Sequence, residues 1–272
     1  SDGLGVFAKK WLPGGAQLPV LAALRAHIDE RRLGAAARDA LRRWYWCSVF
    51  MERYSGAVVT KSRRDYSEMI AYWTGKGGPP SVFAEAQARI GASGYTIRDS
   101  ASHASAVYSG VFCLLALRGA RDWQTDEAIS LHQLEDHHIF PQAVLKRHGY
   151  RPQLDKREIN SIVNRTLISG LTNGKISDAA PADYILDPKV FDVAPQDVLP
   201  AHFVDVDALA ALRGAAEELD NADFGAVYDA FRDARERAII GAIREVCGVK
   251  ATGEPAPEGY EEALEFDIDE DQ

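Results

Sequence analysis

Apolar residues recur at helical spacing through most of the chain. Leu21, Leu24 and Ile28 follow Pro19 at intervals of three and four, the spacing that lines one face of an α-helix. Pro19 suits the first turn, where a missing N–H removes no intrahelical bond. A second helix is predicted from about Ala36, with Leu41, Trp44, Tyr45 and Val49 on one face and Gly56 as its stop. Ser62 is the expected cap of a third, which carries Met69, Ile70 and Trp73. The run Thr74-Gly-Lys-Gly-Gly-Pro-Pro breaks the pattern. Ala104 to Leu117 is apolar almost all round and reads as a central buried helix ended by Gly119. A connector punctuated by Pro188, Pro195 and Pro200 precedes two more helices, over about 206–219 and about 223–246. The last shows Phe224, Val227, Phe231, Ala234 and Ala238 at helical spacing.

The texture differs between Trp123 and that connector. Residues 129–185 are less periodic and hold four of the seven histidines. Thr166-Leu-Ile-Ser fits a strand, and Leu171-Thr-Asn-Gly-Lys-Ile-Ser fits a turn leading into a helix. The predicted fold class is mainly α with a small α+β insert. Its expected divisions are a helical N-terminal subdomain (1–125), the insert (126–190), C-terminal helices packed on the body (191–250) and an acidic, disordered tail (251–272). No internal repeat is present.

Composition narrows the picture. The 272 residues are 46% hydrophobic and 26% charged, an ordinary globular balance. No run of 18 uncharged apolar residues exists, and the N-terminus lacks the basic flank and apolar stretch of a secretory leader. Cys47, Cys113 and Cys247 follow no pairing rule, which excludes a disulfide scaffold and a CxxC zinc site and points to a reduced, cytoplasmic setting. The net charge of −9 is local. Nine of the 40 acidic residues lie between Glu254 and Asp271 with no Lys or Arg among them, leaving 31 acidic and 31 basic residues in the body. Overall acidity therefore does not argue against a nucleic-acid partner. The absence of an initial Met reads as a piece of something longer.

The candidate chemistry lies in three segments: Leu134-Glu-Asp-His-His-Ile-Phe-Pro-Gln, Asn160-Ser-Ile-Val-Asn-Arg-Thr-Leu-Ile-Ser, and Asn173-Gly-Lys-Ile-Ser-Asp. Two adjacent histidines preceded by two acids are expensive to bury unless each is satisfied. On a strand their rings point to opposite faces unless the backbone turns, as Pro141 implies. One imidazole can then hold a metal while its neighbour acts as base. A mixed oxygen and nitrogen site of this kind suits Mg2+ or Mn2+ rather than a closed structural zinc.

His137-His138-Ile-Phe-Pro141, Asn164-Arg-Thr-Leu-Ile and Asn173-Gly-Lys-Ile-Ser, followed by Pro181 and Tyr184, resemble the HNH (ββα-metal, His-Me finger) nuclease motif. The closest resemblance is to the variant found in GmrSD- and SspE-like restriction and phage-defence proteins. Leu41–Ser55 and Phe224–Val246 resemble the helices that flank the finger there. The resemblance implies a helical bundle carrying a ββα-metal finger that nicks or cleaves DNA with one divalent ion, Mg2+ or Mn2+. It implies His138 as general base, His137 and Asn173 as metal ligands, and Asn164 as the residue that holds the finger's backbone and orients the His138 ring. Lys175 and Arg165 become candidate phosphate contacts, and Asp136 a supporting group or turn cap. Arg165 stands where the family usually has an apolar residue. The family's N-terminal nucleotide-binding module is missing, so NTP hydrolysis is not expected and a sensor domain becomes an expected partner alongside DNA; no membrane partner is implied.

Plainer readings accompany these. Asn173-Gly alone is a common turn. His132 either lines the site or is structural. His148 with Lys146, Arg147, Arg151, Lys156 and Arg157 forms either a phosphate-tracking patch or a solvated face. Trp44, Trp46 and Trp73 read as core before base-stacking platforms, Glu135 as solvent exposed, and the acidic tail as a flexible terminus before a DNA mimic. Two other functions fit the same residues: a DNA-binding or regulatory module with a degenerate finger, and a metal-dependent hydrolase of another phosphodiester, RNA or a small molecule.

Overall fold

Helices account for most of the fold, as the periodicity predicts. The computed structural model describes residues 3–124 and 133–256. His132 and the acidic positions from Glu258 onward lie outside the described residues. The chain divides into two compact units, one formed by Pro13–Tyr95 with the chain from Ala242 on, the other by the first twelve residues with Thr96–Gly241. The division falls near residue 95, and the apolar helix that follows it belongs to the same unit as the His-His segment.

In the unit that begins at Pro13, α1 (Leu18–Arg31) buries Val20, Leu24 and Ile28 and ends at Arg32 in the left-handed region. Its neighbour α2 (Ala35–Phe50) buries Leu41, Trp44, Tyr45 and Val49 on the predicted face. Next, α3 spans Val58–Trp73 and starts a full turn before Ser62, after Ala57 at φ 50°. Within it Asp65 is fully buried. Its carboxylate accepts from Arg53, from Trp44 Nε1 at 2.9 Å and from the Tyr54 hydroxyl at 2.7 Å. One helix escaped the sequence reading, α4 (Ser81–Ile90), which buries Val82, Phe83, Ala86 and Ile90. Ten residues between prolines and Gly91 give too few turns for the period to stand out. Trp44 and Trp46 are core residues.

The other unit carries the site. The apolar helix is α5 (Ala106–Leu117), capped by Ser105, whose hydroxyl accepts from the Tyr108 N–H. Strand β1 (Leu134–His138) follows, then α6 (Gln142–Arg147) and α7 (Lys156–Asn160), strand β2 (Arg165–Ser169) and α8 (Gly170–Ile176). Short helices α9 (Pro181–Tyr184) and α10 (Pro195–Val198) lead to α11 (Val206–Gly214) and α12 (Asn221–Cys247). Helix α11 stops five residues before the expected end, because Ala215 turns to accept a hydrogen bond from the Ala182 N–H. An isolated two-stranded ribbon is marginal in water. This one is backed by a fully buried cluster that includes Trp123, Phe140, Ile168, Tyr184, Phe224 and Phe231.

The strands pair antiparallel, with His137 opposite Thr166 and His138 opposite Arg165. The segment from Leu171 is not a turn before a helix but the helix itself. Ser169 accepts from the Thr172 N–H at 3.1 Å and caps α8, which starts one residue before Leu171 and places Asn173 within its first turns.

Candidate active site

Residues from β1, β2, α8 and the start of α6 line an open cleft of about 430 Å3, among them Asp136, His137, His138, Gln142, Arg165 and Asn173. Strand alternation sends the two imidazoles into different surroundings. His137 is only 4% exposed, and its ring meets the face of Trp123 edge-on at 5.8 Å. Its Nε2 is buried with no hydrogen-bond partner. Burial pushes this imidazole down to about 3, and the Asn173 amide facing it opposes the shift only in part. Asn173 Nδ2 points toward Glu135 Oε2 at 3.5 Å, which leaves the amide oxygen for the cleft. Glu135 is exposed, as expected, and also packs against Gly170.

His138 ends β1 and lies among polar groups. Nε2 is 3.0 Å from Asn160 Oδ1, and Arg165 Nη1 lies against the ring, 2.6 Å from Nδ1 and 2.7 Å from Nε2. Burial, reinforced by the Arg165 cation, pushes this ring down to about 4, so it is neutral at physiological pH. Arg165 is held in turn by Asp136, with Nε 3.0 Å from Oδ1, and by the Tyr108 hydroxyl at 3.0 Å. Tyr108 donates to Asp136 Oδ2 at 2.6 Å. Burial raises the Asp136 carboxyl while Arg165 lowers it. Asp136 thus anchors Arg165, a supporting position.

Asn164 is fully buried and ties the turn after β1 to the start of β2. Its Oδ1 accepts from the Phe140 N–H at 2.8 Å, and Nδ2 donates to the carbonyls of Phe140 and Ile159. It holds backbone and makes no hydrogen bond to the His138 ring. Asn160 and Gln142 occupy that position. Tyr184 fixes the same turn by donating to the Ile139 carbonyl at 2.8 Å.

Two expected phosphate contacts fall elsewhere. Lys175 is exposed, does not line the cleft and bonds Gln124. Two residues along a helix rotate a side chain by about 200°, so Asn173 and Lys175 cannot share a face. His148 is a core residue, stacked on Phe224 at 3.7 Å between ring centres. Arg147 is bound to Glu217 and Asp178, and Arg151 lies 3.7 Å from Asp155. Within that patch, Arg147 and Arg151 are thus engaged by carboxylates.

Asn160, Gln142 and Tyr108 are the site residues that sequence reasoning missed. Gln142 lies four residues after His138 and Asn160 four before Asn164, so their proximity to the motif was the available signal. Tyr108 was hidden in an apolar run. Among the described residues no three His, Cys, Asp or Glu side chains group to hold a metal. The donor pair His137 and Asn173 includes an amide and stands outside such a grouping.

The chain is 28% identical over 251 residues to an uncharacterized protein of Methanocaldococcus jannaschii. The match covers 88% of this chain and 41% of that relative, so the chain spans about two fifths of its length. No family model matches the chain, and no solved structure matches it. No helix among the described residues is long and apolar enough to cross a membrane.

Proposed function

We propose that the cleft is the active centre of a metal-dependent endonuclease of the ββα-metal (HNH) class, which nicks or cleaves DNA as the effector part of a bacterial anti-phage restriction protein. The observation that carries this reading is the orphaned Nε2 of His137, buried in a cleft that also receives Asn173 from α8 and His138 from the same strand. Leaving a buried imidazole nitrogen unpaired costs about 1–3 kcal/mol. A cation that accepts its lone pair removes that cost.

The residues present fit a divalent ion. His137 and Asn173 would hold it, one neutral nitrogen and one amide oxygen, with room for water and phosphate oxygens, a set that suits Mg2+ or Mn2+. When bound, such an ion neutralises charge that develops on the phosphate and the departing oxygen. His138 takes the proton of the attacking water at a ring nitrogen, a contribution of roughly 10²–10⁴-fold. Asn164 and Tyr184 hold the turn that presents this ring. Arg165, at the cleft, is the cation placed to meet a phosphate, and Asp136 with Tyr108 aims it.

The reading is tested by cleavage of supercoiled plasmid with Mg2+ or Mn2+, the wild type beside His138→Ala and an EDTA control. Nicked or linear product that disappears in both controls supports it. Activity that survives His138→Ala, or a wild type inert with both metals, counts against it.

A further inference from the structure

Glu135 and His137 stand two residues apart on β1, so their side chains leave the same face of the strand, the one that meets α8. Helix α8 answers both. Its Asn173 amide faces the His137 ring, and Asn173 Nδ2 lies 3.5 Å from Glu135 Oε2. At the start of the same helix Gly170 leaves a hollow that the Glu135 carboxylate fills, since a Cβ there would stand 2.8 Å from Oε1 and 3.4 Å from Oε2. An imidazole, an amide and a carboxylate therefore converge where β1 meets the first turns of α8. The imidazole is nine-tenths buried and more, and its Nε2 has no partner.

A hard divalent cation is held through one or two carboxylates as a rule. His137 and Asn173 supply no charge, and the Arg165 cation lines the same cleft. The other carboxylates described nearby are engaged. Asp136 leaves β1 on the opposite face and holds Arg165 and Tyr108. Asp122 is buried, one oxygen accepting from the Ser169 N–H at 2.8 Å and the other from the Thr172 hydroxyl at 2.6 Å. Asp178 accepts from Arg147. Glu135 is exposed, and its contact with the Asn173 amide is long.

We infer that Glu135 is a third protein ligand of the divalent ion, its carboxylate joining the His137 imidazole and the Asn173 amide oxygen. The inference rests on the proposed metal-dependent reading of the cleft. It supplies the negative charge that the other two donors lack. By accepting from Nδ2, the same carboxylate turns Oδ1 of Asn173 toward the cleft, so the two ligands orient one another. Gly170 has a specific reason at the start of α8, because a side chain there would displace the carboxylate.

Mn2+ binding to the full chain is followed by the electron paramagnetic resonance signal of the free ion. The wild type should bind Mn2+, and Glu135→Gln should weaken binding by roughly tenfold or more. Gln keeps an oxygen that accepts from Asn173 Nδ2, so the loss reads the carboxylate rather than the orientation of the amide. Glu218→Gln removes an exposed carboxylate that does not line the cleft and should leave the affinity unchanged. A second readout needs no variant to fold. With glutamate 13C-labelled at its δ-carboxyl, electron–nuclear double resonance of Mn2+ bound to the wild type should show a 13C coupling. A spectrum without that coupling, or an affinity indifferent to Glu135→Gln while His137→Phe abolishes binding, overturns the inference and leaves the metal reading standing. A wild type that binds no Mn2+ overturns the metal-dependent reading and the inference with it, so the two failures are distinguishable.

Discussion

Arg165 lies directly across the β1–β2 ladder from His138, and its Nη1 approaches both nitrogens of that ring, Nδ1 to 2.6 Å and Nε2 to 2.7 Å. The pairing is a product of register: a slip of one residue would carry Arg165 to the other face of the ribbon. Asp136, two residues before His138 and on the same face, completes the arrangement by forming an ion pair with the guanidinium.

Arg165→Met is expected to weaken DNA binding by an amount that depends on salt. A lysine or arginine that neutralises one phosphate contributes about one unit to the slope of log K against log salt. Fluorescence anisotropy at several salt concentrations should show the slope reduced by about one. An unchanged slope would place Arg165 in the cleft for structural reasons alone.

The orphaned His137 Nε2 predicts a trade between stability and metal binding. His137→Phe removes an unsatisfied buried nitrogen and keeps ring volume against Trp123, so the apo-protein should gain about 1 kcal/mol in urea denaturation. Calorimetric Mn2+ binding should be lost in this variant and in Asn173→Ala. A destabilised His137→Phe would show that the imidazole has a protein partner.

Asn164→Ala should destabilise the protein by about 2–4 kcal/mol, since it strands the Phe140 N–H and the Phe140 and Ile159 carbonyls in a dry interior. Chemical denaturation measures it. A cost below about 1 kcal/mol would mean that water replaces the amide.

His202 supplies the pH dependence. It is fully buried, accepts from the Thr166 hydroxyl at Nδ1 and donates from Nε2 to the Arg121 carbonyl. Burial, with Arg235 adding to it, pushes its pKa down to about 3, although the Arg121 carbonyl and Asp122 oppose the shift. Between the ordinary histidine value near 6.5 and about 3, the unfolded chain binds a proton that the folded one refuses. Stability contributed here is therefore complete above about 6.5 and declines as pH falls, by up to about 1.4 kcal/mol per unit. His202→Gln should flatten the acid limb of melting temperature against pH. An identical limb in both proteins would show that His202 titrates normally.

Arg235→Lys should be strongly destabilising, by about 3 kcal/mol or more, despite keeping the charge. The guanidinium is fully buried and donates to the carbonyls of Ile162, Val163, Arg165 and His202, a fan that a lysine cannot reproduce. Thermal melts of the two proteins decide it.

The helices were legible where their apolar stripe ran for several turns. Leu24 and Ile28, Leu41 and Trp44, Phe224 and Phe231 are all buried as their spacing predicts. Helix α4 was not, because ten residues hold too few periods, and α3 begins a turn before the polar residue that reads as its cap. His137, His138, Arg165 and Asn173 could be named as one site from the order of short motifs, and they do line one cleft. Lys175 could not be excluded from the site without the helical rotation between it and Asn173.

The sequence by itself determined that this chain is mainly helical, since periodicity is a local property of the residue order. It also marked a His-His strand as the candidate site. Only the tertiary structure decided what each histidine can do. His137 is buried against Trp123 with its Nε2 unpartnered, and His138 is flanked by Asn160 and Arg165 because α7 and β2 bring them there. Burial, register and hydrogen-bond direction arise from segments that meet only in space, so the spacing of residues along the chain does not carry them.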